Sequence, residues 1–218
     1  MATEHPLARL LREAAEGRFP PQDNAVDVLP SVDGLAALIA AFSGHNFIAT
    51  DLDATEVLAH LPSDDPGSAL DPRFLAWLCQ RLDAVTYTPD IVLAAFGCDA
   101  DPEFRLVDRD DLEHHPRVQL ARRYRSGVRV YSDGSGDGLI TIARQRLGLQ
   151  SISVEVEPAQ RNRGLARKLV LAARSRIPED EPLFASVSPG NAASVRAFLA
   201  AGYVPICSEV ALLSRRDE

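Results

Sequence analysis

The stretch from Gln150 to Ile177 leaves this chain little choice of local fold. Ile152, Val154 and Val156 alternate with Ser151, Ser153 and Glu155, the period of two expected of a strand with one buried face. Pro158 cannot donate to a sheet ladder and ends the run. From Leu165 the apolar residues fall at Leu165, Leu169, Ala172 and Ala173, a helical stripe that continues to Ile177 and stops at Pro178. A strand, a basic turn and a helix opening near Gly164 therefore follow one another directly.

The first N–H groups of a helix have no internal partner, and the aligned peptide dipoles place about half a positive charge at that end. Gly164 has no Cβ to hold an anion off the backbone, and Ala166 keeps the next turn small. Between Pro158 and Ile177 there are six basic side chains and no acidic one, in a chain of net charge −8. Arg161, Arg163, Arg167 and Lys168 crowd the turn, so the segment predicts an anion site. The plainer alternative is a solvated basic helix face in an arginine-rich chain whose only lysine is Lys168.

Downstream, Leu183, Ala185 and Val187 alternate as a strand, and Asn191 is a good N-cap. Val195, Phe198 and Leu199 give the next helix an apolar face, Gly202 closes it, and Tyr203 to Leu213 reads as a final apolar strand. Helices between successive strands favour parallel pairing and an α/β arrangement. Upstream, Val128 to Tyr131 and Leu139 to Ile142 are short strands around Ser132-Asp133-Gly134-Ser135-Gly136-Asp137-Gly138. That glycine-rich loop leads into a strand rather than a helix, so it reads as a hairpin turn and not as a phosphate cradle.

The motif Arg161-x-x-Gly164-x-Ala166 after Val156-x-Pro158 resembles the coenzyme A pyrophosphate loop of the GNAT superfamily, the acyl-CoA-dependent N-acetyltransferases. Ser188-Pro189-Gly190-Asn191-Ala192-Ala193-Ser194, then Phe198 and Ala201-Gly202-Tyr203, resemble that family's downstream strand, Asn-x-x-Ser helix and Gly-aromatic turn. The resemblance covers residues 127 to 213, in the C-terminal half, and fades before Phe104. It implies a GNAT-like acyltransferase fold, a central mixed sheet flanked by helices, with acetyl-CoA as cosubstrate. Val154 and Val156 would carry the pantetheine arm, and Arg161, Asn162, Arg163, Gly164, Leu165, Ala166 and Arg167 the pyrophosphate, with Asn191 capping its helix or touching the coenzyme.

Transfer to an amine needs a base, an oxyanion donor and an acid for the departing thiolate. Glu155 is the candidate base and Glu157 the alternative, against a plain reading of two solvated carboxylates on an exposed strand face. The family often places a tyrosine acid seven residues after the Asn, where this chain has Phe198, and Tyr203 reads as a packing residue. That departure keeps a rival open, a non-catalytic coenzyme A-binding regulatory module.

Residues 1–110 carry seven basic and nineteen acidic side chains, a net −12, whereas residues 111–218 carry sixteen and twelve, a net +4. The asymmetry supports a boundary near Asp99-Ala100-Asp101-Pro102, separating an N-terminal α+β accessory region (1–100) from a GNAT-like domain (101–218). In the first region Leu7 to Ala15 predicts an amphipathic helix, Phe19 to Pro30 an irregular proline-rich segment, and Asp53 to Leu61 and Arg73 to Leu82 helices. Leu35 to Phe42 and Phe47 to Thr50 fit either strands or buried helix, and Ile91 to Phe96 reads as a buried strand. The acidic half favours a cationic acceptor, a small-molecule or protein amine, over nucleic acid. A charged N-terminus and the lack of any long apolar run predict a cytoplasmic chain without a membrane partner, and a homodimer is left open. Cys79, Cys98 and Cys207 are too scattered for a disulfide framework, and His114-His115 lacks metal-ligand spacing, so no metal is expected.

Overall fold

The computed structural model describes residues 4–63, 65, 67–99 and 104–215. In chain order the elements are α1 (Pro6–Ala15), β1 (Ala25–Leu29), β2 (Ala37–Phe42), β3 (His45–Thr50), α2 (Ala54–Ala59), α3 (Pro72–Arg81), β4 (Ala84–Thr86) and β5 (Asp90–Phe96). There follow β6 (Val107–Asp108), α4 (Pro116–Tyr124), β7 (Ser126–Ser132), β8 (Gly138–Arg144), β9 (Gln150–Val156), α5 (Leu165–Ala173), β10 (Pro182–Val187), α6 (Ala192–Ala200) and β11 (Val204–Ser214). The fold is mixed α/β, with helices flanking a mixed sheet.

The chain forms two compact units, residues 1–92 with 206–218, and residues 93–205. Ala100 to Pro102, in the connection expected from composition, lie outside the described residues. In the first unit β1 pairs parallel with β3, β3 antiparallel with β2, and β2 antiparallel with β11, which also pairs β4. Register places Ile39 opposite both Ile48 and Val210, and that face packs on Val57 of α2 and on Phe74 and Leu78 of α3. Two expectations are corrected here. The proline-rich segment contains β1, because Val26 and Val28 find a partner in β3. The final strand is antiparallel to β2 and β4, not a parallel continuation of the preceding α/β units.

The second unit carries the sheet β6-β7-β8-β9-β10, antiparallel except for the parallel pair β9·β10. Its two faces are covered by different helices. Gly138 pairs with Val156, and a Cβ on Gly138 would stand 2.3 Å from Leu169 Cδ1, so the face of Val154 and Val156 lies under α5. Leu139 pairs with Glu155, and Leu139 packs with Val130 and Val118, so the face of Glu155 lies under α4. No helix of the described residues is long and apolar enough to cross a membrane.

Candidate functional site

The turn after β9 is built by short-range bonds. Glu157 donates its N–H to Asp137 O at 2.9 Å and accepts from Gln160 N at 2.8 Å, which turns the chain through Pro158–Gln160. Asn162 (φ 61°) and Gly164 (φ 81°) take left-handed conformations on either side of Arg163 and aim the chain into α5. A Cβ on Gly164 would meet nothing within 4 Å, so the space over the helix start is open.

The start of α5 differs from the other helix starts. His5, Asp53, Asp71, His115 and Asn191 each accept an N–H in the first turn of α1, α2, α3, α4 and α6, whereas Gly164 offers α5 no side-chain cap. The first amides of α5 therefore lack a side-chain acceptor, which is the condition for receiving an anion. Arg161, Arg163, Arg167 and Lys168 are exposed around them. Arg161 Nε donates to Val156 O at 3.1 Å, Arg163 Nη1 to Gln160 Oε1 at 3.2 Å and Arg167 Nε to Ala200 O at 3.1 Å. Each guanidinium is tethered by one nitrogen and keeps others for a ligand. Asn162 is exposed, Leu165 and Ala166 are half-buried, and all the loop residues named from sequence lie in this one segment.

Val154 and Val156 are half-buried beneath α5. β9 is registered with β8 along its whole length, but with β10 at Phe184↔Ser151. Asn191 stands apart from the loop in sequence, and its Oδ1 accepts Ser194 N–H at 3.2 Å, the capping role. Phe198 is 2 % exposed and meets Tyr203 edge-on at 5.0 Å between ring centres. Tyr203 is itself buried, its hydroxyl has no partner among the described residues, and burial pushes the phenol's pKa up. Neither ring is poised to give a proton.

The carboxylates sit on the opposite face, in a cleft of about 160 Å³ lined by Arg109, His115, Ser132, Asp137, Glu155 and Glu157 among others. Glu155 is not a loose solvated group. Arg117 Nε donates to its Oε2 at 2.5 Å, and this bond, against the opposing effect of partial burial, holds the carboxyl below its usual range. Glu157 is exposed at the mouth of the same cleft. His115, considered from sequence only as a metal ligand, lines the cleft, and its Nδ1 accepts Arg117 N–H at 3.2 Å. Sequence gave no signal for Arg117, which meets Glu155 across 38 residues, or for Arg109, which pairs locally with Asp111 but reaches Ser132 across 23; the His-Pro pair opening α4 was the one legible hint at His115.

The sequence matches no family model and, at the level taken as significant, no curated protein. Solved structures do overlap it. A protein from Novosphingobium aromaticivorans shares 19 % identity at a TM-score of 0.41, over 60 % of this chain and 67 % of its own. One from Colwellia psychrerythraea shares 12 % at 0.40, over 63 % of this chain and 60 % of its own, and one from Kribbella flavida 12 % at 0.39, over 99 % and 96 %. All three are described as GNAT acetyltransferases. The GNAT overlaps are not confined to the C-terminal half, where the sequence motifs lie, and the last takes in nearly the whole chain. Overlaps this loose say nothing of a reaction, so the chemistry rests on the residues of the site.

Proposed function

We propose that this protein is an acyl-CoA-dependent N-acyltransferase that moves acetyl from acetyl-CoA to a primary amine. The observation that carries the reading is the start of α5: amides without a side-chain cap, open space over Gly164, and four exposed cations directly after a strand. These residues fit a diphosphate, whose charge and many acceptor oxygens match backbone donors and guanidinium forks. The pantetheine arm would follow β9 along Val154 to Val156.

With the thioester so placed, the acceptor nitrogen attacks its carbonyl carbon. The C–N bond forms, the C–S bond breaks with its electron pair on sulfur, and the proton lost by nitrogen is balanced by one gained by the thiolate. A thiolate is a weak base, so the buried Phe198 in place of an acid is tolerable for this leaving group. Phe198 also favours a second reading, a regulatory module that binds coenzyme A without turnover.

Calorimetric titration of the whole chain with acetyl-CoA, beside a folded Gly164→Glu variant, tests the site. Binding by the parent and not by the variant supports it, and equal binding refutes the loop assignment. Thiol release against a panel of amines then separates the two readings, since the regulatory module binds and releases nothing.

A further inference from the structure

A buried hydroxyl without a partner and a half-buried guanidinium without a carboxylate meet in the second unit, beside a thiol. We propose that Cys98 is a site of reversible oxidation, at which a peroxide converts the thiol to a sulfenic acid that Tyr203 and Arg174 hold by hydrogen bonds. Nothing in this site depends on the acyltransferase reading.

Arg174 fixes the geometry. Its Nε donates to Phe96 O at 2.7 Å and its Nη1 to Ala201 O at 2.9 Å, while its own carbonyl accepts Cys98 N–H at 3.4 Å. One residue thus gathers the segment after β5, which carries Cys98, and the turn after α6, which carries Tyr203. The approach is close on both sides. A Cβ on Gly202 would stand 3.0 Å from Arg174 Nη1, and one on Gly97 would stand 2.3 Å from Pro178 O.

Polar groups in such surroundings are ordinarily paired. Here Arg174 bonds only neutral carbonyls among the described residues, and Tyr203, 1 % exposed, has a hydroxyl with no partner among them. The charged forms of Arg174 and Cys98 both act on that hydroxyl, in opposite senses. A sulfenic oxygen on Cys98 would supply what both groups lack, an acceptor for the phenol and a polar, partly anionic atom for the guanidinium's spare donors. Cys98 is half-buried and open to a small oxidant. Burial pushes the pKa of Cys79 and Cys207 up and keeps both as thiols, the form that reacts poorly.

The step balances. The sulfur's electron pair attacks one peroxide oxygen, the S–O bond forms as the O–O bond breaks, and the released hydroxide takes the thiol's proton and leaves as water. Sulfur is oxidised and the peroxide reduced, and a thiol reductant reverses the change.

The test treats the full chain with hydrogen peroxide, traps it with a cyclic diketone that captures sulfenic acids, and maps the adduct by peptide mass spectrometry. The adduct is expected on Cys98 and not on Cys79 or Cys207, and a thiol reductant added before the trap should abolish it. Tyr203→Phe, which keeps the contact with Phe198, and Arg174→Lys should each shorten the lifetime of the sulfenic acid several-fold. That lifetime is read by adding the trap at successive times after the peroxide is removed. Melting curves check that the variants are folded; if Arg174→Lys unfolds, Tyr203→Phe alone carries the comparison. An adduct on Cys79 or Cys207 in preference to Cys98, or no adduct, overturns the proposal. So does a Cys98 adduct whose lifetime ignores the substitutions, the behaviour of a merely accessible thiol.

Discussion

Gly164 separates two effects that a single substitution would confuse. Its φ of 81° strains any L-residue by about 1 kcal/mol, yet a Cβ there would meet nothing within 4 Å, so alanine and glutamate meet the same backbone cost and no clash at Cβ. Only glutamate puts a negative charge over the open amides. Gly164→Ala should therefore lose little affinity for acetyl-CoA and Gly164→Glu most of it, at matched thermal stability; equal losses in calorimetry would mean that strain, not charge, governs the loop. Tyr203 presents the opposite case, a residue whose polar atom does nothing for the fold. Its hydroxyl is buried without a partner among the described residues, at a desolvation cost of about 1 to 3 kcal/mol. Tyr203→Phe keeps the edge-on contact with Phe198 and should raise the melting temperature by a few degrees, whereas a fall would show that the hydroxyl has a role of its own.

The helix starts are the elements whose energetics can be read most directly. At α3, Asp71 accepts Arg73 N–H at 2.8 Å and pairs with the same residue's guanidinium at 3.0 and 2.9 Å, bonds that lower its pKa from 3.8 to about 2. Because the folded value is depressed, this contribution is present above pH 4 and is lost as the pH falls from about 4 towards 2. Asp71→Asn keeps the cap but not the charge, so its melting temperature should drop less than the parent's between pH 4 and 2; parallel curves would exclude the linkage. These caps also show what was legible in the sequence. Asp53 and Asn191 announced their helices, and the alternation at Ser151 to Val156 announced β9, because each signal is local. α4 was not legible: only Val118 and Ala121 are buried in it while Leu120 lies exposed, so its apolar stripe is too thin to show a period. β1 was hidden among prolines and is a strand only because β3 is there to pair with it. The turn at Asn162 to Gly164 and the start of α5 could be read for the same local reason. The strap between Arg117 and Glu155 could not, since it joins residues 38 apart through tertiary packing.

At the scale of the whole molecule the two substrates of the proposed reaction would make opposite electrostatic demands. A net charge of −8 repels a polyphosphate at long range and attracts an ammonium. Affinity for acetyl-CoA must then arise from contacts within a few ångströms of the α5 start, where the sign of the local charge is reversed. A cationic acceptor needs no such local reversal, and residues 1–110 alone carry a net −12. Salt screens these two effects unequally, because charges farther apart than about 8 Å are largely screened at an ionic strength of about 0.15 M, whereas bonded contacts persist. For a polyamine acceptor, kcat/KM should therefore fall several-fold as salt rises from low to physiological strength, with a smaller change in acetyl-CoA affinity. An aromatic amine, uncharged at neutral pH, should be a poorer acceptor at low salt and show little salt dependence. Initial rates of thiol release for the two amines across a salt series decide the matter. If the uncharged amine is turned over as fast as the polyamine at low salt, the acidity of the chain has no part in choosing the acceptor, and specificity must reside in contacts inside the cleft itself.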